Sequence, residues 1–168
     1  MIEVKDFSKK YKNKIIIDKS SFSIKEKSIS FFMGENGVGK TTFIKCLTGL
    51  EKYDGIICFN SEVANNFLVV WDDTPFYHNL SGLRNLYILC EDKYSKAVIE
   101  EKALLYLNNE MLKSKVKIYS YGQKKKLALA LVDILKPDIL FLDEVTNGLD
   151  YETIRELKKV LIQWSSVL

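Results

Sequence analysis

Residues 29–42 read Ile-Ser-Phe-Phe-Met-Gly-Glu-Asn-Gly-Val-Gly-Lys-Thr-Thr, an apolar run that leads directly into a glycine-rich loop. The apolar run, Ile29 to Met33, predicts a short buried strand. Beyond the loop, apolar residues from Phe43 to Leu50 recur at helical spacing. Residues 34–41 match the pattern G-x-x-x-x-G-K-[ST]. A strand before this pattern and a helix after it favour a phosphate-binding loop over an ordinary glycine-rich turn.

The glycines of this loop let the backbone wrap closely around phosphate oxygens, with successive N–H groups and a helix N-terminus directed at them. Lys40 would supply a positive charge to the β- and γ-phosphates, and the Thr41 hydroxyl can ligate Mg²⁺. The loop therefore predicts a site for a nucleoside triphosphate and Mg²⁺. The predicted binding residues are Gly34, Glu35, Asn36, Gly37, Val38, Gly39, Lys40, Thr41 and Thr42.

Two acidic residues, Asp143 and Glu144, follow the apolar run Ile139 to Leu142. A carboxylate at the C-terminal end of a buried strand lies where open α/β sheets bind ligands. Asp143 can hold the Mg²⁺ shell, and Glu144 can orient or deprotonate an attacking water. Alone, the pair also fits a solvated turn, but the phosphate loop upstream favours the catalytic interpretation.

The composition excludes several classes of protein. The 168 residues are 47% hydrophobic and 28% charged with a net charge of +3, which indicates one globular domain and is too mildly basic to imply nucleic acid. No apolar run approaches the roughly 20 residues of a membrane span, and the start of the chain lacks a signal-peptide core, so we expect a cytosolic protein. Three cysteines without a CxxC pair indicate reduced thiols.

Strand patterns alternate with helical ones along the chain, which predicts an α/β domain with a largely parallel sheet. The segment from Ser81 to about Asn109 is helical without an intervening strand, so we expect a helical insertion there. Ser120 is a candidate cap for a helix that Pro137 stops. Further predicted strands lie at 15–17, 21–24, 56–59, 67–71 and 139–142, and a last helix at about 152–164.

Further motifs follow the phosphate loop in a set order: Tyr119-Ser120-Tyr121-Gly122-Gln123, then 139–144, then Asn147-Gly148-Leu149-Asp150. They resemble the signature, Walker B and D-loop motifs of ABC-transporter ATPases, and the resemblance extends from Tyr11 to Asp150. It implies a P-loop NTPase fold over residues 1–168, with a mostly parallel central sheet, an N-terminal antiparallel β region and a helical subdomain at about 78–122.

The resemblance also implies a mechanism. Two such domains face each other, and each Mg-ATP is hydrolysed between the Walker motifs of one and the signature of the other, with Lys40 and Glu144 as catalytic residues. Tyr11 corresponds to the aromatic residue that stacks on adenine, although alone it also reads as a surface tyrosine. Ser120 would both cap its helix and contact the γ-phosphate across the interface. The implied ATP contacts of the signature are Ser120, Gly122 and Gln123.

The implied partners are a second ATP-binding domain, in a homo- or heterodimer, and a transmembrane permease. The protein would then lie at the inner face of the cell membrane, and its signature is most similar to bacterial exporters. We expect the segment from about Tyr77 to Leu107 to dock the permease through the aromatics Phe76, Tyr77 and Tyr87. The alternative is that these rings fill the core of the helical insertion, which fits Tyr87 better than Phe76 or Tyr77. Lys124 to Lys126 are expected to form a solvated helix face, which argues against a nucleic-acid partner.

Three departures from the family pattern stand out. Asp72 replaces the Q-loop glutamine, which places its role as a water-mediated metal ligand in question. Tyr121 replaces the second signature glycine. The switch histidine expected after the last helix lies beyond Leu168, so we expect a C-terminally truncated chain whose turnover requires dimerisation and further residues. The single histidine, His78, is expected at the surface or facing the transporter.

Two other functions fit these departures. A catalytically degenerate, regulatory nucleotide-binding subunit would explain Asp72 and the missing histidine. A soluble ABC ATPase outside transport is the other alternative, although such proteins usually carry two cassettes or long insertions.

Overall fold

The structure is a computed structural model that describes residues 1–59, 66–90, 93–146, 149, 151, 154, 155, 157–159, 161 and 162. The chain divides into two compact units, residues 1–66 with 158–168 and residues 67–157. Each unit is built around its own sheet.

The first unit contains a three-stranded antiparallel sheet with strand order β2-β1-β3. Its central strand β1 buries Ile2 and Val4, which alternate with more exposed residues. An irregularity between Val4 and Phe7 shifts the pairing, and Asp6 there has a φ of 47°. The shift brings Phe7 and then Lys9 onto the buried face. The strands are β1 Ile2–Tyr11, β2 Lys14–Ile24 and β3 Asp54–Phe59.

Helix α1, Lys40–Leu47, packs on this sheet through Phe43. The Phe43 ring centroid lies 5.1 Å from that of Phe7 and 5.6 Å from that of Phe22. A third ring, Phe32, lies 5.0 Å away. Aromatic pairs at these distances add to the stabilisation from burial alone. The cluster therefore fixes the position of α1 and of the glycine-rich loop at its N-terminus.

The prediction of a buried strand at Ile29 to Met33 is wrong for this structure. The segment has no strand conformation, and Phe31 and Met33 are 82% and 92% exposed. An apolar run becomes a strand only where a neighbouring strand accepts its hydrogen bonds, and that partner is a non-local property. Only Phe32 makes a ring contact with the cluster around Phe43.

The second unit contains a parallel pair of strands and several helices. The strands pair from Phe67 with Ile139 to Val70 with Leu142, so their C-terminal ends lie at the same edge. The predicted helical stretch 81–109 is broken into separate helices, with Leu104 turned outward and 52% exposed. The elements are β4 Phe67–Val70, α2 Gly82–Cys90, α3 Lys96–Ala103, α4 Asn109–Lys113, a 3₁₀ turn Val116–Ile118, α5 Tyr121–Leu135 and β5 Ile139–Leu142.

Helix α5 begins and ends where the sequence predicts. Ser120 caps its N-terminus, and it ends at Leu135, before Lys136 in the left-handed region at a φ of 44° and then Pro137. Its apolar residues Leu127, Leu131 and Ile134 are buried.

The predicted last helix falls only partly on described residues, and those between Tyr151 and Ile162 have helical backbone. Three D-loop residues, Asn147, Gly148 and Asp150, lie outside the described residues.

Candidate functional site

The glycine-rich loop bends through two glycines in the left-handed region, Gly37 with a φ of 82° and Gly39 with a φ of 113°. Gly39 is also the N-cap of α1, and a Cβ built there would lie 2.8 Å from the Ile16 side chain. A side chain at this position would be strained by its φ and would meet β2. The sheet therefore accepts the loop only with glycine at this position.

Lys40 spans the loop from the first residue of α1. Its ammonium group donates hydrogen bonds to the carbonyl oxygens of Gly34, at 2.8 Å, and Glu35, at 3.0 Å. The Val38 backbone N–H donates to Glu35 at 3.3 Å and closes a turn inside the loop. The positive charge is therefore held at the centre of the curved backbone.

This geometry fits a phosphate group. The first backbone N–H groups of a helix have no partner within the helix, and the helix dipole favours an anion at that end. Thr41 and Thr42 belong to this first turn, while Asn36 and Gly37 form the exposed turn of the loop. All nine predicted loop residues lie within this one segment. Their contacts with a nucleotide stay a prediction.

Tyr11, the predicted adenine platform, belongs to the same unit and is 43% exposed at the end of β1. The Lys9 ammonium lies 4.5 Å from its ring centroid. Lys9 is itself buried, and it donates to the Glu51 carboxylate at 3.0 Å and to the Lys52 carbonyl at 2.6 Å. Hydrogen bonds from Lys9 and then Tyr11 hold the pKa of Glu51 below its usual value.

Lys9 and Glu51 are not among the site residues predicted from the sequence. A lysine in an alternating strand reads as solvent-facing, and only the irregularity in β1 turns Lys9 inward. Lys9 and Glu51 together hold the ring of Tyr11. The Lys9 ammonium lies over one face of the ring, and the Tyr11 hydroxyl donates a hydrogen bond to the Glu51 carboxylate.

In the second unit, Asp143 and Glu144 follow β5, as predicted. Asp143 is 7% exposed, and its backbone N–H donates to the Val70 carbonyl at 2.9 Å, which extends the pairing with β4. Glu144 is exposed and has a φ of 52°, in the left-handed region that non-glycine residues seldom occupy. Such strained residues concentrate at functional sites, which supports a chemical role for Glu144.

The donor chemistry fits Mg²⁺. This ion takes oxygen ligands, is bound through one or two carboxylates, and completes its shell with phosphates and water. The Thr41 hydroxyl and the Asp143 carboxylate are ligands of this kind. Within the described ranges no group of three or more His, Cys, Asp or Glu side chains could hold a metal ion by itself. The ligand roles of Thr41 and Asp143 stay predictions.

The signature residues lie at the N-terminus of α5. The Ser120 hydroxyl accepts a hydrogen bond from the Gln123 backbone N–H at 3.2 Å, and the Gln123 side-chain oxygen accepts one from the Ser120 N–H at 2.8 Å. This reciprocal arrangement is a capping box and confirms the predicted cap. A serine hydroxyl that accepts still has its own proton to donate. Ser120 is exposed, so both predicted roles are compatible.

Two predictions about surface residues are wrong. Lys125, expected on a solvated face, is 3% exposed, because its ammonium group donates to the backbone carbonyls of Trp71 and Asp72. Phe76, expected as an exposed docking residue, is 6% exposed and belongs to the core. Tyr77 is 56% exposed, and His78 is also exposed.

Asp72 lies just beyond β4, at the same sheet edge as Asp143. A hydrogen bond from the Tyr121 hydroxyl, followed by the charge of Lys125, holds the pKa of Asp72 below its usual value. The carboxylate is therefore ionised at neutral pH.

In the part of the chain that the structure describes, no helix is long and apolar enough to cross a bilayer.

One family model matches residues of both units. A family model described as ABC transporter matches residues 17–147. An uncharacterized ABC transporter ATP-binding protein of Bacillus subtilis, YhcH, is 34% identical over 169 residues, 94% of this chain and 55% of that protein. The lantibiotic transport ATP-binding protein SrtF of Streptococcus pyogenes is 32% identical, over 99% of this chain and 76% of that protein.

The methionine import ATP-binding protein MetN of Clostridium tetani is 32% identical, over 96% of this chain and 56% of that protein. The chain thus spans about half the length of several curated relatives, 55–57% in these cases.

Solved structures share the fold. The structure of an ATP-binding subunit of an ABC transporter matches with a TM-score of 0.85 and 24% identity over 98% of this chain and 75% of that one. A dimeric ATP-binding cassette in a post-hydrolysis state, bound to ADP and Pi, matches with a TM-score of 0.84 and 20% identity over 98% and 83%. The predicted P-loop NTPase fold is thereby confirmed.

Proposed function

The chain belongs to the family of ABC transporter ATP-binding proteins, and from this premise we propose that it binds and hydrolyses Mg-ATP as the cytoplasmic motor subunit of a transporter. The observation that carries the proposal is the loop 34–41, which curves around the Lys40 ammonium at the N-terminus of α1. Family membership supports a role for this chemistry in transport.

Each binding residue has a distinct task in this proposal. Tyr11 stacks on the adenine, and the N–H groups of 34–42 bind the phosphates. Lys40 exchanges its hydrogen bonds with Gly34 and Glu35 for the β- and γ-phosphate oxygens, and stabilises the charge that develops on them.

Thr41 and Asp143 would hold Mg²⁺, which when bound neutralises charge on the triphosphate. Glu144 orients the attacking water and accepts a proton from that water. Its exposed carboxylate and left-handed backbone support this assignment.

A second ATP-binding domain completes the site. Ser120, Gly122 and Gln123 present the N-terminus of α5 to the nucleotide of that second domain, with the Ser120 hydroxyl donating to the γ-phosphate. The solved dimer bound to ADP and Pi, which shares this fold, supports the arrangement. Hydrolysis removes the bridging phosphate, so the dimer opens and moves its membrane partner.

The partner in this proposal is a transmembrane permease, which binds the helical subdomain at about 78–122 and keeps the protein peripheral at the inner face of the membrane. Tyr77, exposed on a firmly held backbone, is the candidate contact. Export is the proposed direction. The similarity of the signature Tyr119 to Gln123 to that of bacterial exporters supports this direction. The name of the lantibiotic transport relative gives no direction, and the methionine import relative represents the opposite one.

The test is turnover by the Glu144→Gln variant in the natural-length protein assembled with its permease. Losing the base should leave ATP binding intact and lower hydrolysis by about 10²-fold or more. Glu110→Gln, an exposed residue of α4, is the matched control and should hydrolyse at the wild-type rate. Equal rates in wild type and Glu144→Gln would contradict the assignment of the base. Tight ATP binding without turnover in the wild type would identify a regulatory subunit instead.

A further inference from the structure

Three side chains form one hydrogen-bonded cluster between the end of β4 and the start of α5. The Tyr121 hydroxyl donates to Oδ1 of Asp72, and the Lys125 ammonium lies 3.4 Å from the same oxygen. Lys125 also donates to the backbone carbonyls of Trp71, at 3.2 Å, and Asp72. The Lys125 ammonium lies 5.0 Å from the Tyr121 ring centroid. We name Asp72, Tyr121 and Lys125 the clamp.

Because the Lys125 side chain is buried, it depends on the other residues of the clamp. The Lys125 side chain is 3% exposed, and a buried ammonium is tolerated only where charge and hydrogen-bond acceptors surround it. Those acceptors are provided by Trp71 and Asp72, together with the face of the Tyr121 ring. Moving the loop after β4 away from α5 would leave the buried ammonium group of Lys125 without these acceptors.

The protonation states agree with this geometry. Burial, and then the hydrogen bond to the Asp72 carboxylate, raise the pKa of Tyr121 to about 12, and the charges of Asp73 and Glu144 contribute in the same direction. Tyr121 is therefore a protonated donor and Asp72 an ionised acceptor at neutral pH.

The clamp joins two of the three departures from the family pattern noted in the sequence, Asp72 in place of glutamine and Tyr121 in place of glycine. A glycine at 121 has no side chain to reach the loop after β4. Each departure supplies one half of the same hydrogen bond. The two departures are therefore in direct contact.

We propose that Tyr121 is a positioning residue that couples the Asp72 loop to the signature segment 120–122, so that the two move as one piece when the dimer closes on ATP. The inference rests on the proposed function. Asp72 then serves Tyr121 and Lys125 instead of Mg²⁺. Tyr121 is adjacent to Ser120, so loosening it misdirects the end of α5 without altering the phosphate loop of the same chain.

The test is a double-mutant cycle with Tyr121→Phe and Asp72→Asn, made in the natural-length protein. Tyr121→Phe removes only the hydroxyl and keeps the ring beside Lys125. Each single variant should lower kcat and ATP-dependent dimerisation about tenfold, the effect of losing a charge-assisted hydrogen bond, and the double variant should lose no more than either single one. The ATP dissociation constant and the Mg²⁺ activation constant should stay within twofold of wild type.

Tyr106→Phe is the matched control. The pKa of Tyr106 is also raised to about 12, mainly by burial, but Tyr106 does not belong to the clamp. This substitution should therefore leave kcat unchanged. Additive losses in the double variant would overturn the coupling. A raised Mg²⁺ activation constant in Asp72→Asn alone would make Asp72 a metal ligand and overturn it as well. A wild type that neither dimerises with ATP nor hydrolyses it would overturn the proposed function, and this inference with it.

A second measurement reads the contact itself. With ¹³C-labelled tyrosine, Asp72→Asn should lower the pKa of Tyr121 from about 12 toward its ordinary value. An unchanged Tyr121 pKa in that variant would show that the hydrogen bond does not exist, and would overturn the inference without any activity assay.

Discussion

The side-chain amide of Asn85 holds the backbone of Tyr77 at both of its polar groups. The Asn85 Oδ1 accepts from the Tyr77 N–H at 2.7 Å, and its Nδ2 donates to the Tyr77 carbonyl at 3.1 Å and to that of Ser81 at 2.9 Å. Asn85 is fully buried in α2, whereas the Tyr77 ring is 56% exposed. An exposed aromatic side chain is therefore carried on a backbone that is held at both polar groups.

Replacing Asn85 with Leu should destabilise the protein. The substitution leaves the Tyr77 N–H without its partner, whereas the carbonyls of Tyr77 and Ser81 keep the backbone N–H groups of Leu80 and residue 85. Because one unsatisfied buried group costs about 1–3 kcal/mol, we expect the free energy of unfolding to fall by about that amount in urea titration. The exposed control Asn79→Leu should stay within about 0.5 kcal/mol of wild type. Equal effects of the two substitutions would contradict the structural role of Asn85.

Tyr77→Ala should weaken docking of the permease with little effect on stability. Aromatic anchors contribute much of the energy of protein interfaces, and truncating one typically costs about 2 kcal/mol or more. We expect at least tenfold weaker binding to detergent-solubilised permease. Leu50→Ala, another exposed apolar residue (65%), is the control and should bind as wild type. Undiminished binding by Tyr77→Ala would exclude this residue from the interface.

Two variants distinguish a capping role of Ser120 from a phosphate-binding role. Ser120→Ala should lower the free energy of unfolding by about 1 kcal/mol, the usual effect of losing an N-cap. Asn108→Ala removes the cap of α4, where Asn108 accepts from the Met111 N–H at 2.9 Å, and should cost a similar amount. Only the Ser120 variant should also lose ATP-dependent dimerisation in size-exclusion chromatography. Loss in both variants, or in neither, would show that Ser120 acts only as a cap.

The sequence could predict elements whose signals are local. The loop at 34–41 and its helix follow from one motif, and α5 carries its start at Ser120 and its stop at Pro137. The position of Asp143 and Glu144 at the C-terminal end of β5 follows from the apolar run that forms this strand.

Elements that depend on distant partners could not be predicted in the same way. β1 was missed because its irregularity breaks the alternation near Asp6. The burial of Lys125 depends on carbonyl groups at Trp71 and Asp72, 54 and 53 residues away in the chain. Ile29 to Met33 has the composition of a strand but no ladder partner among the described residues.

Alkaline pH should destabilise the fold through three tyrosines. Burial raises the pKa of Tyr87, Tyr106 and Tyr121 to about 12, aided at Tyr87 and Tyr121 by hydrogen bonds to Glu100 and Asp72. A raised folded-state pKa favours the neutral phenol, so this stabilisation is complete below the unfolded value of about 10 and is lost as the pH rises to about 12. Urea midpoints should therefore fall between pH 10 and 12.

The triple Phe variant at these three positions should show a flatter decline over the same pH range. A decline as steep as that of wild type would show that other groups cause it.

Calorimetric titration of Mg-ATP into wild type and Lys40→Ala tests the account most directly. The variant removes the charge at the centre of the phosphate loop and should bind ATP about 1–3 kcal/mol more weakly, or about 5- to 150-fold. Lys27→Ala, which removes the same charge from an exposed turn, should bind as wild type. Equal ATP affinity in wild type and Lys40→Ala would contradict the assignment of residues 34–42 as the nucleotide site.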